Sequence, residues 1–260
     1  MPEIEPKATL SVGKLKIRVF GTREEMGAAA AAHAAGSMTV LAAGKDTLPI
    51  IFATGASQLA TLAALTATPG LPWDKVIGFH MDEYLEIDDT HPASFRRYLR
   101  ENLTSKVPMR EFHGIDGTPA TADQTCSAYA ALLRAHAPKL CLLGIGENGH
   151  LAFNDPAEAD FNDPLDIRIV ALDDVCRGQQ FSEGWFPRLA EVPHRAITLT
   201  IPTLFRVPEL ILSVPGPRKA HIVKRTLEEA ISTACPATIM RSHPNATVYL
   251  DGESAAELKL

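Results

Sequence analysis

A short apolar run that passes directly into glycines constrains the fold of this chain most. Residues 140–143 are uninterrupted apolar sequence, and Gly144, Gly146 and Gly149 follow at once. Such a run, closed by glycines, is typical of a central strand in a parallel sheet. Glycine permits positive φ and close backbone approach, and open α/β sheets bind ligands at the carboxyl ends of their strands. This segment therefore predicts a site.

Polar residues follow the glycines and supply candidate chemistry: His150, Asn154 and Asp155. The letters GIGENG also match the dinucleotide-binding pattern G-x-G-x-x-G, which requires a helix to follow. The next residues, LAFNDPAEADFNDP, are rich in Asn, Asp and Pro and predict a loop. We therefore reject a dinucleotide site. A glycine turn with an incidental histidine is the alternative that this segment alone leaves open.

The rest of the chain alternates predicted strands with helical patterns. Further strands are predicted at residues 48–53, 75–79, 166–172, 196–201, 210–214 and 247–250. This alternation predicts an α/β fold with a mostly parallel sheet flanked by helices. No linker divides the 260 residues, so we expect one domain spanning residues 1–260.

Local signals predict how several elements begin. Residues 1–13 predict a loosely held lead-in, followed by an edge strand at 15–19. Thr22 to Glu25 is a capping box before an Ala-rich helix, and Thr121 with Gln124 forms a second box within a helix predicted over residues 118–138. A terminal helical turn is predicted from residue 254 to residue 260.

A glycine turn after the strand at 48–53 predicts an anion site. It consists of Thr54, Gly55, Ala56 and Ser57 and leads into a helical pattern. Backbone N–H groups and the positive end of a helix dipole would meet there, as phosphate or carboxylate binding requires. Ser57 as an ordinary helix N-cap is the alternative.

Two cations occupy the start of another predicted helix, after Pro215-Gly216-Pro217. Arg218 and Lys219 oppose the helix dipole there, which costs a few tenths of a kcal/mol unless an anion is near. A bound anion would remove this conflict, and Lys219 is the stronger candidate.

Adjacent carboxylates follow the strand at 75–79. Asp82 and Glu83 point to opposite faces of extended structure, so one should face the site and the other a structural partner. His80 lies two residues before Asp82 on the same face and could join His150 in a metal site. With no further ligand signature, we predict no metal.

The composition excludes some partners. The net charge of −6 offers no basic surface for nucleic acid, and no apolar run is long enough to span a membrane. The four cysteines are too widely spaced for a C-x-x-C pair, and no signal segment opens the chain. We expect a reduced, cytoplasmic protein.

The ordered segments TGAS, MDEY with HPASF, GIGENGHLAFNDP and PGPRKA resemble the glucosamine-6-phosphate deaminase/isomerase family. The resemblance covers about residues 48–258. It implies a modified Rossmann-like domain that converts glucosamine 6-phosphate and water to fructose 6-phosphate and ammonia, with no organic cofactor or catalytic metal. A small sugar phosphate is then the expected partner. A homo-oligomer is compatible, because many members self-associate.

The resemblance also implies roles for single residues. Asp82 matches the base that moves a proton from C2 to C1, and His150 matches the group that opens the sugar ring. Asn148 and Asp155 match positions that assist ring opening, although the family more often has Asp at the first and Glu at the second. The implied phosphate ligands are Thr54, Gly55, Ala56, Ser57, Lys219 and Arg177. The segment DVCRGQQFSEGWF around Arg177 departs from the family pattern D-T-R-x-x-N-S-R-F.

Other functions fit the same residues. A 6-phosphogluconolactonase would use the same phosphate site, but His150 followed by LAFND and Asp82 followed by Glu-Tyr resemble the deaminases more closely. A deaminase or isomerase of another phosphorylated amino sugar is open because of the altered segment around Arg177. A sugar-phosphate sensor without activity is open because of Asn148 and Asp155.

Overall fold

The computed structural model describes residues 4–182 and 184–259. The strands, numbered in chain order, are β1 (Ala8–Val12), β2 (Leu15–Val19), β3 (Leu48–Phe52), β4 (Val76–His80), β5 (Asp82–Tyr84), β6 (Glu111–His113), β7 (Leu140–Leu143), β8 (Ile167–Ala171), β9 (Arg195–Leu199), β10 (Glu209–Val214) and β11 (Ala246–Leu250). The α-helices are α1 (Arg23–Ala42), α2 (Leu59–Ala67), α3 (Phe95–Leu99), α4 (Ala122–His136), α5 (Asp174–Ser182), α6 (Ile201–Phe205) and α7 (Ala220–Glu228).

Eight strands form the main sheet, in the order β1, β2, β11, β10, β7, β3, β4, β6. The β1–β2 pair is antiparallel and the other pairs are parallel. The glycine-closed strand β7 lies between β10 and β3 with all its residues buried. The predicted α/β fold is therefore confirmed, and the carboxyl ends of β3, β4, β7 and β10 meet at one edge.

The predicted loose lead-in is wrong for most of its length. Residues 1–3 lie outside the described residues, but β1 pairs with β2 in full register, from Ala8 with Val19 to Val12 with Leu15. The outermost strand is therefore β1 and not β2. The half-buried alternation of β1 is the reason, since one of its faces still packs on the core.

Of the two predicted capping boxes, the structure contains the first and lacks the second. The Thr22 hydroxyl accepts the Glu25 N–H at 3.1 Å, and the Glu25 carboxylate accepts the N–H of Thr22 at 3.2 Å, so the first box is confirmed. The second is wrong, because a 3₁₀ turn precedes α4 and the Thr121 hydroxyl instead donates to the Thr118 carbonyl. At the other terminus, residues 252–257 form turns and not the predicted helical turn; residue 260 lies outside the described residues.

A second, three-stranded antiparallel sheet has the order β5, β9, β8. Strand β5 follows β4 after Met81 alone, so the chain passes directly from the main sheet into the smaller one. The predicted strands at 166–172 and 196–201 are β8 and β9 of this smaller sheet.

The main sheet is covered on both faces by buried apolar residues. One cluster includes Phe52 of β3 and Met38 of α1, and the other includes Leu143 of β7 and Ile222 of α7. None of the described helices combines the length and the apolar character needed to cross a membrane.

Candidate active site

A cavity opens where β3, β4, β7 and β10 end. Its volume is about 160 Å³, below the roughly 300–1,000 Å³ of pockets for drug-sized ligands. It therefore suits one small molecule. Its polar wall includes Arg23, Thr54, Ser57, Asp82, Glu147, His150, Gln179, Gln180, Arg218 and Lys219.

Asp82, the first residue of β5, lies on the cavity wall and is 6% exposed. Among the described residues, its Oδ1 atom has no hydrogen-bond partner. Burial, together with the negative charge of Glu83, raises the pKa of Asp82 well above the usual aspartate value. A carboxylate with high proton affinity is suited to accept a proton from carbon and return it.

Glu83 faces away from the cavity and holds the local fold together. Its carboxylate accepts the hydroxyl of Ser94 at 2.9 Å and the backbone N–H groups of Phe95 and Arg96 at 3.1 and 3.0 Å. The expectation that one carboxylate faces the site while its neighbour braces the structure is confirmed. The Arg96 guanidinium lies 3.3 Å from Glu83 and is therefore not a solvent-facing charge.

His150 and Asp155 form a pair on the loop after β7. The Nδ1 atom of His150 lies 2.9 Å from Oδ1 of Asp155. Burial would raise the pKa of Asp155, but its contacts with His150, Asn148 and Cys176 outweigh burial and lower that pKa. An ionised Asp155 places the imidazole proton on Nδ1, so Nε2 is left to exchange protons with a ligand.

Asn148 fixes this pair through both ends of its amide group. Its Nδ2 atom donates to Oδ1 of Asp155 at 2.8 Å, and its Oδ1 accepts the N–H of His150 at 3.0 Å. The family's usual aspartate at this position would place a second carboxylate against Asp155. Asn148 is therefore chemically matched to an ionised Asp155.

A tight turn brings the short side chain of Asp155 back to His150. Leu151 and Asn154 form an isolated bridge, and Ala152 between them has a φ of 52°. Aspartate is one methylene shorter than the glutamate that is more common in the family, and this turn of the backbone lets it reach His150. Gly146 is needed for a related reason, because a Cβ there would stand 2.2 Å from the Nε2 atom of His150.

Strand β9 connects the two halves of the site. Its residue Thr198 pairs with Asp82 across the smaller sheet, and the Thr198 hydroxyl accepts the N–H of Phe153 at 3.1 Å. The Asn154 amide donates to the Leu199 carbonyl at 2.8 Å. The strand that holds Asp82 therefore also holds the loop of His150 and Asp155.

The turn of Thr54, Gly55, Ala56 and Ser57 lies on the cavity wall, as expected. Gly55 has a φ of 90°, and no acceptor among the described residues pairs with the backbone N–H groups of Gly55, Ala56 or Ser57. Ser57 is not an N-cap: α2 begins at Leu59, and the Ser57 hydroxyl instead accepts from the Gln58 side chain at 3.1 Å. This turn can present N–H groups to an anion.

The two predicted cationic phosphate ligands have different positions. Lys219 lies on the cavity wall, at the start of α7. Arg177 does not line the cavity: its guanidinium donates to the carbonyls of Val192 and Leu189 at 3.2 and 3.1 Å and lies 3.5 Å from Asp174. The prediction for Arg177 therefore has no geometric support, because α5 turns this side chain towards residues 189–192.

The metal alternative based on His80 is wrong. Its Nε2 atom accepts the N–H of Ile115 at 2.6 Å, and burial, with the nearby Arg96 charge, lowers its pKa to about 3. A different trio, His150, Asp155 and Cys176, places one potential ligand atom each within 4.8 Å of the others, and zinc accepts these residue types. The contacts of Asp155 with His150 and Asn148 fit a proton relay equally well, and acid–base catalysis by these residues requires no metal.

Some cavity residues escaped prediction, notably Arg23, Gln179 and Gln180. The Gln179 side chain accepts the N–H of Glu147 at 3.1 Å, and Gln180 accepts the hydroxyl of Tyr84 at 2.6 Å. The glutamines lie in the segment that departs from the family pattern, so that departure was the available signal. For Arg23, the signal was a cation in the first turn of a helix.

A parallel α/β sheet that carries a buried carboxylate of raised pKa and a histidine–carboxylate pair at its carboxyl edge defines a class of acid–base catalysts for small ligands. The family model described as glucosamine-6-phosphate isomerases/6-phosphogluconolactonase matches residues 21–249. The chain belongs to this family.

Curated relatives include the glucosamine-6-phosphate deaminase of Exiguobacterium sp. strain AT1b, 32% identical over 213 residues that cover 82% of each chain. The enzyme of the same name from Bacillus thuringiensis strain Al Hakam is 33% identical over 81% of this chain and 78% of its own length. A solved monomeric glucosamine-6-phosphate deaminase superposes with a TM-score of 0.84 and 26% identity, over 93% of this chain and 99% of that one. The 6-phosphogluconolactonase of Trypanosoma brucei, at 20% identity and a TM-score of 0.74 over 97% of this chain and all of its own, shows the shared fold.

Proposed function

We propose that this chain is a glucosamine-6-phosphate deaminase, which converts glucosamine 6-phosphate and water to fructose 6-phosphate and ammonia. The observation that carries the proposal is the pairing, in one cavity, of Asp82, with its raised pKa, and the His150–Asp155 pair. The relatives that carry this enzyme name over most of the chain support it.

Substrate binding is proposed to begin at the phosphate. The N–H groups of the turn at residues 54–57 and the ammonium group of Lys219 supply donors and positive charge at one side of the cavity. The phosphate held there would direct the sugar ring towards the carboxylate and the imidazole. Positioning of this kind removes a large share of the entropic barrier to reaction.

Ring opening is assigned to His150. Its Nε2 atom would take the proton from the C1 hydroxyl and deliver a proton to the ring oxygen, which breaks the C1–O5 bond. The negative charge of Asp155 stabilises the imidazolium form during this step, and Asn148 keeps the pair aligned. Asn148 itself transfers no proton.

Isomerisation is assigned to Asp82. Its carboxylate would remove the C2 proton of the open-chain sugar to give an enolamine and return a proton to C1, which leaves an imine at C2. Water then adds to C2 and ammonia departs, giving fructose 6-phosphate. None of these reaction steps requires an organic cofactor or a metal.

The proposal is tested by incubating the protein with glucosamine 6-phosphate and a chelator, and by measuring ammonia and fructose 6-phosphate together. Equal amounts of both products are expected. Turnover of 6-phosphogluconolactone alone would indicate a lactonase instead. Tight binding of sugar phosphate without any turnover would indicate a sensor, and turnover of another phosphorylated amino sugar would change only the substrate.

Further expectations accompany this function. One domain is supported by the single residue between β4 and β5 and by a core cluster that joins Phe79 of the main sheet to Ile197 of the smaller one. A reducing cytoplasm is supported by four unpaired cysteines. Homo-oligomer formation stays a prediction, and light scattering of the purified protein would measure it.

A further inference from the structure

Arg23, the first residue of α1, lies on the cavity wall although no family motif points to it. Its Nη2 atom lies 3.0 Å from the point where a Cβ of Gly216 would stand. Gly216 has a φ of 93°, and its N–H donates to both carboxylate oxygens of Asp251 at 2.9 and 3.0 Å. The glycine turn before α7 is thus fixed in place, and its missing side chain leaves room for the guanidinium.

The guanidinium of Arg23 forms no ion pair within the described part of the chain. No carboxylate of the described residues lies within ion-pair distance of it. The nearby Glu25 is committed to the capping box, where it accepts the N–H groups of Gly21 and Thr22. A cation in the first turn of a helix also opposes the helix dipole. Both features favour an anion beside Arg23.

The other arginines of this region are already engaged. Arg218 lies 3.4 Å from the Glu147 carboxylate and donates to the Ser182 hydroxyl at 3.1 Å. Arg177 donates to backbone carbonyls outside the cavity. A phosphate monoester carries close to two negative charges at neutral pH. Lys219 can supply only one positive charge, so a second cation is needed to balance the phosphate.

We propose that Arg23 is a phosphate ligand of this site and takes the role that the family resemblance assigned to Arg177. Its planar guanidinium offers two parallel N–H donors to two phosphate oxygens, whereas Lys219 offers a point charge. The phosphate would then lie between the starts of α1 and α7 and the turn at residues 54–57. This inference rests on the proposed function, because it takes a sugar phosphate as the ligand.

The test compares Arg23→Ala and Arg23→Lys with wild type. Arg110→Ala is the matched control, since Arg110 is an exposed arginine outside the cavity and its loss changes the net charge equally. Dissociation constants for inorganic phosphate and for glucose 6-phosphate are measured by calorimetry, and kcat and KM are measured with glucosamine 6-phosphate. Thermal unfolding confirms that each variant is folded.

For Arg23→Ala we expect binding of both phosphate probes to weaken roughly 10- to 100-fold, as for the loss of a charge-assisted hydrogen bond. The value of KM should rise by a similar factor, with a smaller change in kcat. Arg23→Lys should recover part of the loss, and Arg110→Ala should match wild type.

The two proposals fail in distinguishable ways. If wild type binds the phosphate probes but releases no ammonia, the deaminase proposal fails, while Arg23 is still judged by the binding constants. If Arg23→Ala binds the probes as wild type does, or if wild type binds neither probe, the assignment of Arg23 is overturned. An equal loss in Arg110→Ala would also overturn it, because the effect would then come from net charge alone.

Discussion

Two buried aspartates belong to the same site and have opposite environments. Asp155 is engaged by His150 and Asn148, and its pKa is lowered. Both carboxylates have one oxygen with no hydrogen-bond partner among the described residues, but burial and the charge of Glu83 raise the pKa of Asp82. The same type of side chain thereby serves as an ionised partner of His150 at neutral pH and as a proton carrier. The neighbours make the difference: His150 and Asn148 contact the Asp155 carboxylate, whereas the charged neighbour of Asp82 is the carboxylate of Glu83.

The largest effect is expected from Asp82→Asn, which removes the proton carrier and keeps the shape of the side chain. Deaminase activity should fall by roughly 10³-fold or more, because an amide cannot accept the C2 proton. Exchange of the C2 proton with deuterated solvent, followed by NMR, should disappear while phosphate binding persists. The exposed Asp74→Asn variant is the control, and unchanged exchange in Asp82→Asn would remove Asp82 from the mechanism.

A smaller loss, roughly 10²-fold in kcat, is expected from Asp155→Asn, because sugar rings also open without a catalyst. The variant lacks the charge that stabilises the His150 imidazolium. Asp155→Glu keeps the charge and should retain more activity. Steady-state kinetics of both variants provide the measurement, and wild-type activity in Asp155→Asn would show that the charge of Asp155 does not contribute.

A still smaller change is expected from Asn148→Asp, which places a second carboxylate against Asp155. Like charges raise the pKa of such a pair, so protons bind at higher pH than in wild type. The acid limb of the kcat/KM profile should move up by about one pH unit. Asn148→Ser removes the hydrogen bond from the amide without adding a charge, so the limb should move in the same direction but by less than in Asn148→Asp. A profile in Asn148→Asp that matches wild type would mean that Asp155 does not titrate on that limb.

The smallest effects concern stability, and their signs should differ. The raised pKa of Asp82 means that its ionisation destabilises the fold increasingly as pH rises above about 3.9, the value in the unfolded chain. The lowered pKa of Asp155 means that its stabilising contribution is present above about 3.9 and is lost as pH falls through its folded pKa.

At pH 7, Asp82→Asn should therefore raise the melting temperature by about 2–4 °C and Asp155→Asn should lower it by a similar amount. Near pH 4 both differences should shrink, which thermal unfolding at the two pH values would measure. Shifts of the same sign in both variants would contradict the proposed contrast.

The sequence predicted those features that depend on local pattern. The buried strand β7 and its glycines, the capping box at Thr22, and the divergence of Asp82 and Glu83 follow from periodicity and spacing, and all are present. The pairing of β1 was missed because the strand has only five residues. Over that length, its alternation of half-buried and exposed positions is a weak signal in the sequence.

Features that depend on distant contacts could not be predicted. Nothing in a local pattern shows that β9 pairs with Asp82, more than a hundred positions earlier in the sequence. The reach of Asp155 depends on the positive φ of Ala152, an alanine with no turn signature. The Arg177 side chain points away from the cavity because its guanidinium donates to the backbone carbonyls of residues 189 and 192. Every residue has a backbone carbonyl, so such a contact leaves no signal in the sequence.

Strand β9 has a consequence for how enzymes of this kind diversify. Because it holds both Asp82 and the loop of His150, changes along it would alter the reacting geometry for every substrate at once. Helix α5 instead contributes Gln179 and Gln180 to the cavity wall. New sugar preferences are therefore expected to arise by substitution in α5, while β9 is inherited with little change.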